Sequence, residues 1–144
     1  MTLSRDDILA ALQNDWGAYP ARFHRLSAPS RAAELKRQGY RRFADLLAHI
    51  ISWWRDALKT IPLLLTDPDY RPPEIDVDTF NAWAIATFRA VGEPSVVEAF
   101  DDTRQALIDL VGGLPEQAFQ DERIAWRLEI EVVGHLKEHD LKQP

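Results

Sequence analysis

The sequence contains no cysteine. This absence excludes a disulfide framework, a cysteine-ligated zinc site and a cysteine nucleophile, so any sulfur chemistry must use a sulfur atom from a second substrate. No apolar run approaches the ~20 residues that a helix needs to cross a bilayer. The first residues, MTLSRDDILAAL, are acidic and amphipathic, unlike the basic and then apolar pattern of a signal peptide. These absences predict a cytoplasmic protein with no membrane partner.

An excess of basic residues is also missing. The net charge is -6, whereas binding to nucleic acid requires a concentrated basic surface. We therefore expect no nucleic-acid partner. The one basic cluster, RAAELKRQGYRR at residues 31–42, is interrupted by Glu34. We interpret it as a solvated loop or helix start, with contact to phosphate as the less favoured alternative.

The length and composition fit one globular domain over residues 1–144. A chain of 144 residues can bury one sizeable core without disulfides or metal. Hydrophobic residues make up 46% of the chain and five of its residues are tryptophan. Aromatic residues reach 10%, which is more than a small core needs, and this favours an apolar interface in a homodimer.

Apolar residues recur at helical spacing in four segments. These segments predict helices near residues 4–24, 41–60, 78–111 (broken near Gly92) and 124–141. Ser4 and Asp7 form the pattern of a capping box at the first helix. No alternating strand pattern of useful length occurs. The sequence therefore predicts an all-α fold, a four-helix bundle with short extra helices.

Prolines and polar segments predict where the helices end. Pro20 is expected to kink or end the first helix near Tyr19, and Pro62 lies just past the predicted end of the second. Residues 28–39 are mixed and polar, and we interpret them as a connection. Residues 62–78 contain four prolines and predict a long crossover connection of the kind that often carries function.

Two of the four histidines, His135 and His139, lie four residues apart in the last predicted helix. This spacing places their Cβ atoms roughly 6 Å apart on one face, which suits two ligands of one metal ion. His49, in LLAHIISWW, is the natural third ligand because its helix must pack inward. Each of these histidines also has a purely structural interpretation. A histidine on an apolar face is more often a hydrogen-bonded core residue, and histidine near a helix C-terminus is favoured by the helix dipole.

The segments LLAHIISWW and VVGHLKEHD resemble the histidine-bearing segments of the DinB/YfiT-like superfamily, and the GHxxEH form is similar to its ClbS/DfsB branch. The order of elements along nearly the whole chain is also similar. The resemblance implies a four-helix bundle in which His49, His135 and His139 bind one divalent metal ion, nickel or zinc in known members. His24 has no counterpart and is expected at the surface or in a loop.

Two classes of function follow from this resemblance. Many members of the superfamily resemble S-transferases that use a low-molecular-weight thiol, and three neutral imidazoles leave a coordination position open for catalysis. The resemblance therefore implies a metal-dependent enzyme that acts on small electrophiles by thiol transfer or hydrolysis, in detoxification or stress. The alternative is a non-catalytic or metal-independent small-molecule-binding bundle, since the ClbS/DfsB branch includes a hydrolase that works without a metal. Bundles of this superfamily often pair, which also implies a homodimer.

Three residues are candidates for the substrate pocket: Trp53, Asn81 and Trp83. Each has a structural alternative, as an ordinary core aromatic or a helix-capping amide. Asp45 and Glu131 lie one turn before His49 and His135, where their carboxylates would orient the imidazoles, or would simply face solvent.

Overall fold

The computed structural model describes residues 3–143, which form helices and no strands. The predicted all-α fold class is confirmed. None of the helices in this range is long and apolar enough to cross a bilayer. A short 3-10 helix, Glu116–Gln120, lies between the last two main helices. The six main helices, in chain order, are α1 (Arg5–Ala10, π-helical Ala11–Asp15 and Trp16–Arg25), α2 (Ala28–Gln38), α3 (Phe43–Thr66), α4 (Val77–Thr87), α5 (Glu93–Gly113) and α6 (Glu122–Leu128, π-helical Glu129–Gly134 and His135–Glu138).

The four longest helices enclose one core. Helix α3 packs against α5 and α6, and α1 packs against the same two helices from the other side. At the centre, the rings of Trp16 and Trp54 meet edge to face with centroids 5.2 Å apart, and Trp54 stacks on Phe100 at 5.3 Å. All three side chains are fully buried. Aromatic pairs in these arrangements contribute about 1 kcal/mol beyond the burial of their area, so they hold α1, α3 and α5 in a fixed relation.

Two prolines predicted to end helices lie inside them instead. Pro20 is within α1, so the predicted helix over residues 4–24 continues past it, and the alternative that the helix ends near Tyr19 is wrong. Pro62 is within α3, so the predicted end before Pro62 is also wrong. A proline in a helix interior costs roughly 3 kcal/mol. The residues beyond each proline offset this cost, because Phe23 and Leu64 are buried in the core and each such side chain contributes about 2 kcal/mol on burial.

Helix α2 corrects the interpretation of residues 28–39 as a connection. Ser27 caps its start by accepting a hydrogen bond from the N–H of Ser30 at 3.2 Å, and Gly39 ends it with φ at 86°. The one fully buried residue of this helix is Glu34, so no apolar stripe at helical spacing marks it in the sequence. Most of the basic cluster therefore lies on a helix and not in a solvated loop, and its Arg37 pairs with a carboxylate that is 0% exposed.

The other boundaries agree closely with the sequence. The capping box of Ser4 and Asp7 is present, and the chain breaks at Gly92 between α4 and α5. The crossover is shorter than predicted, at residues 67–76, because α3 continues to Thr66. Arg123 of α6 fixes this crossover by donating to the carbonyl of Tyr70 at 3.0 Å and to that of Leu64, at the end of α3, at 3.0 Å. The crossover is thereby held beside α6.

Candidate metal centre and cavity

Three buried histidines converge between α3 and α6. Their ring centroids lie 5.2 Å apart for His49 and His135, 5.0 Å for His49 and His139, and 5.6 Å for His135 and His139. One ring nitrogen of each lies within 4.8 Å of the same atoms of the other two. The exposed fractions are only 5%, 6% and 4% in chain order. The fold thus brings together the three residues that the sequence predicts as ligands.

Each of the three imidazoles has its Nδ1 atom bonded to a carbonyl oxygen. A carbonyl oxygen only accepts hydrogen bonds, so each Nδ1 carries the proton and each Nε2 keeps a free lone pair. The three bonds run from His49 to Asn81 Oδ1 at 3.0 Å, from His135 to the backbone oxygen of Glu131 at 3.0 Å, and from His139 to Gln38 Oε1 at 2.8 Å. Such bonds fix the tautomer and the orientation that a metal ligand needs.

The two side-chain amides that accept these bonds are themselves oriented by neighbours. The indole N–H of Trp53 donates to Asn81 Oδ1 at 2.8 Å, and an indole nitrogen can only donate. The amide nitrogen of Gln38 donates to the carboxylate of Glu34 at 3.1 Å. These partners fix the orientation of each side-chain amide, so its oxygen, and not its nitrogen, faces the histidine.

The π-helical segment of α6 makes room for the third bond. The backbone N–H of His135 bonds to the carbonyl of Ile130, five residues back. In an α-helix that N–H would bond to Glu131, four residues back. The carbonyl of Glu131 is therefore free, and it accepts from the His135 ring at 3.0 Å and from the Trp54 indole at 2.9 Å. A π-bulge at this point is typical of functional sites in helices.

Burial keeps all three imidazoles neutral. It lowers the pKa of His49, even though the hydrogen bond to Asn81 opposes the shift. Burial, followed by the charges of neighbouring histidines, lowers the pKa of His135 to about 4 and that of His139 to about 3. A neutral imidazole is the form that binds a metal. Protonation therefore does not compete with metal binding at neutral pH.

Two of the three Nε2 atoms in the cluster have no hydrogen-bond partner among the described residues. They belong to His49 and His139, and both are buried. Buried polar atoms without a partner are uncommon, because each forfeits its interaction with water. Three neutral imidazoles with converging lone pairs suit a borderline divalent cation such as zinc or nickel. The residues present thus fit a metal ion.

A cavity of about 690 Å³ lies directly beside this cluster. His49 and His135 form part of its wall, together with Trp53 and Asn81. The crossover, including Tyr70 and Pro72, and α6, including Trp126 and Ile130, also contribute to its lining. Its volume lies within the range of about 300–1,000 Å³ that small-molecule sites occupy.

The predicted pocket residues separate into two groups. Trp53 and Asn81 line the cavity. Trp83 lies outside that lining and is 56% exposed, with its ring 5.5 Å from Phe80. Asn81 and Trp83 are two positions apart, so they point roughly 200° apart around the helix. Only one of them can face the histidines.

The carboxylates expected to orient the histidines bond elsewhere. Asp45 pairs with Arg42 at 2.7 Å. Glu131 orients His135 through its backbone, while its carboxylate accepts from Arg127 at 3.2 Å. Burial raises the pKa of the Glu131 carboxyl to about 7. The residue that sequence reasoning missed is Gln38, whose segment has no apolar period to indicate a helix facing the site.

Neither a protein-family model, nor a curated protein, nor a solved structure matches this chain. The resemblance to the DinB/YfiT-like superfamily therefore stays a prediction. The geometry of the histidines and of the cavity is the basis for a proposed function.

Asn81 provides a test of how the site is held. Replacing Asn81 with alanine removes the acceptor for His49 and should weaken zinc binding about 10- to 100-fold, as measured by competition with a chromophoric chelator. Asn81→Asp keeps an acceptor oxygen and should restore most of the affinity. Asn14→Ala, at an exposed position in α1, is the matched control. Equal affinities for the alanine variant at 81 and the control would contradict this role.

Proposed function

We propose that this protein is a metal-dependent enzyme acting on small electrophilic molecules, built on a DinB-like four-helix bundle. The observation that carries the proposal is the cluster of three buried, neutral imidazoles, whose ring nitrogens lie within 4.8 Å of one another beside a cavity of about 690 Å³. His49, His135 and His139 would hold a divalent metal, nickel or zinc, through Nε2. A constellation with only three protein ligands is typical of catalytic sites, since structural sites are usually closed by four.

The chemistry of such a centre follows from its open coordination position. When bound there, a divalent cation lowers the pKa of water towards ~7 or holds a thiol as the nucleophilic thiolate. In thiol transfer, a sulfur–carbon bond forms, the thiol loses its proton and the leaving group departs with the bonding electrons. In hydrolysis, the oxygen of water takes the place of sulfur. The chain has no cysteine, so a low-molecular-weight thiol would have to be a cosubstrate.

The protein's own residues do three things in this proposal. Asn81, Gln38 and the backbone of Glu131 keep the imidazoles in one orientation. The apolar residues that line the cavity would displace water from beside the reacting atoms once a substrate fills it, which strengthens electrostatic interactions there. The Glu131 carboxyl, with its pKa raised to about 7, lines the cavity and is suited to exchange a proton at neutral pH.

A second function is supported by the walls of the cavity. Trp126 and Ile130 remain 63% and 38% exposed although they line it, which is typical of a surface that an apolar ligand covers. This favours a small-molecule-binding bundle whose binding is non-catalytic or independent of metal. The role in detoxification and the homodimer stay predictions.

Turnover measurements separate the two functions. Protein loaded with zinc or nickel should consume a generic electrophile, such as 1-chloro-2,4-dinitrobenzene, faster than chelator-treated protein in the presence of a thiol from a panel. His49→Ala should abolish the metal-dependent part of the rate. A rate that is the same with and without metal would reject metal-dependent catalysis, and ligand binding without any turnover would support the second function.

A further inference from the structure

The apolar part of the cavity wall extends to the surface of the protein. Val77 is 54% exposed, Trp126 is 63% exposed, and both line the cavity. Indole rings supply large, rigid contact areas for ring-containing ligands. This part of the wall is therefore suited to contact the apolar part of a ligand.

Three arginines line the same cavity, and two of them are already bonded. Arg123 pairs with Asp121 at 2.7 Å and also bonds to backbone carbonyls of α3 and the crossover. Arg127 pairs with Asp56 at 2.7 Å and with Glu131 at 3.2 Å. Both guanidinium groups thus have structural partners, which leaves them little capacity for a ligand.

Arg71 of the crossover is different. Its side chain is exposed and lines the cavity, and within residues 3–143 it has no ion pair and no hydrogen bond. The two acidic residues of the lining do not balance it. Glu131 is paired with Arg127, and Glu138 lies in α6 beside the histidines and forms no ion pair with Arg71. Arg71 is the uncompensated positive charge of the wall.

We propose that the cavity binds an organic anion with an apolar, ring-containing body. The body packs against Trp126 and Ile130, and the anionic head group pairs with the guanidinium of Arg71. A planar guanidinium binds carboxylates, sulfonates and phosphates through paired hydrogen bonds. The ligand is the substrate or cosubstrate of the proposed enzyme, and in that respect this inference rests on the proposed function, although binding itself requires no metal.

A pair of fluorescent dyes tests the charge preference. The probes are 8-anilinonaphthalene-1-sulfonate and N-phenyl-1-naphthylamine, which share a ring system and differ by the sulfonate. Arg71→Gln should weaken binding of the sulfonate dye about tenfold and leave the uncharged dye unchanged. Arg25→Gln, at an exposed arginine of α1 outside the cavity, should change neither. Equal affinity of the sulfonate dye for wild type and Arg71→Gln, or equal loss of both dyes, would overturn the role of Arg71.

The apolar wall is tested with the same dyes. Trp126→Ala removes an exposed ring and is not expected to disturb folding, which circular dichroism checks. It should weaken both dyes, and unchanged binding of both would overturn the assignment of the body to this wall. If the dyes behave as expected but no metal-dependent turnover occurs, the proposed enzyme fails and the anion site stands.

Discussion

Replacing His49 with alanine is expected to lower the affinity for zinc or nickel by at least about 100-fold. Loss of a residue that only orients a ligand costs 10–100-fold, and a lost ligand should cost no less. His135→Ala should have an effect of the same size, because both imidazoles would contribute one lone pair to the same ion. Isothermal titration of metal-free protein measures both affinities.

The matched control is His24→Ala. Its ring is at the surface, 48% exposed, with Nε2 3.1 Å from a carboxylate oxygen of Glu93, and metal affinity should not change. If His49 were only a core residue, its replacement would cost packing energy of about 1–3 kcal/mol, and His135→Ala would leave metal binding alone. Wild-type affinity in the His49 variant would contradict the proposed site.

Replacing Glu34 with glutamine is expected to destabilise the fold by about 3 kcal/mol. The carboxylate is fully buried and accepts hydrogen bonds from Arg37 and Gln38, and from the backbone N–H groups of Lys142 and Gln143 at 3.2 and 3.3 Å. Burial by itself would raise the pKa of this carboxyl, but the hydrogen bonds outweigh it and the pKa is lowered. An amide at this position would direct N–H groups at some of these donors. Urea unfolding at neutral pH measures the loss.

Glu34 also connects the fold to the candidate metal centre. It holds the Gln38 amide whose oxygen accepts from His139, so Glu34→Gln should also weaken metal binding, about tenfold. Glu93→Gln, at a surface carboxylate that pairs with His24, should change stability by less than about 1 kcal/mol and leave metal affinity unchanged. A variant at Glu34 as stable as this control would show that the buried carboxylate does not hold the C-terminal segment.

The four longest helices, α1, α3, α5 and α6, could be predicted from the sequence because each contributes an apolar face to the core. Their ends were harder to predict wherever tertiary packing outweighs local preference. Pro62 is an example, since α3 continues past it to bury Leu64. Helix α2 could not be recognised, because the residue it buries is a carboxylate, and two of its four partners, Lys142 and Gln143, lie more than 100 residues away in the chain.

The candidate site could likewise be predicted only in part from the sequence. The spacing of His135 and His139, with His49 on an inward-facing helix, indicated which imidazoles would meet, and they do lie together. The acceptors Gln38 and Asn81 come from other helices, and no local pattern links them to the histidines. The π-segment that frees the carbonyl of Glu131 was not predicted from the sequence either, and the Trp54 indole that donates to this carbonyl lies 77 positions away in the chain.

The most direct test of the central claim is nitrogen NMR of the histidine rings during a zinc titration. Before zinc is added, His49, His135 and His139 should each show a protonated Nδ1 and an unprotonated Nε2 at neutral pH. At one equivalent of zinc per chain, the Nε2 resonances of all three should shift together, while those of His24 stay in place. Resonances of the three rings that do not respond to zinc, or that respond independently of one another, would contradict a shared metal site.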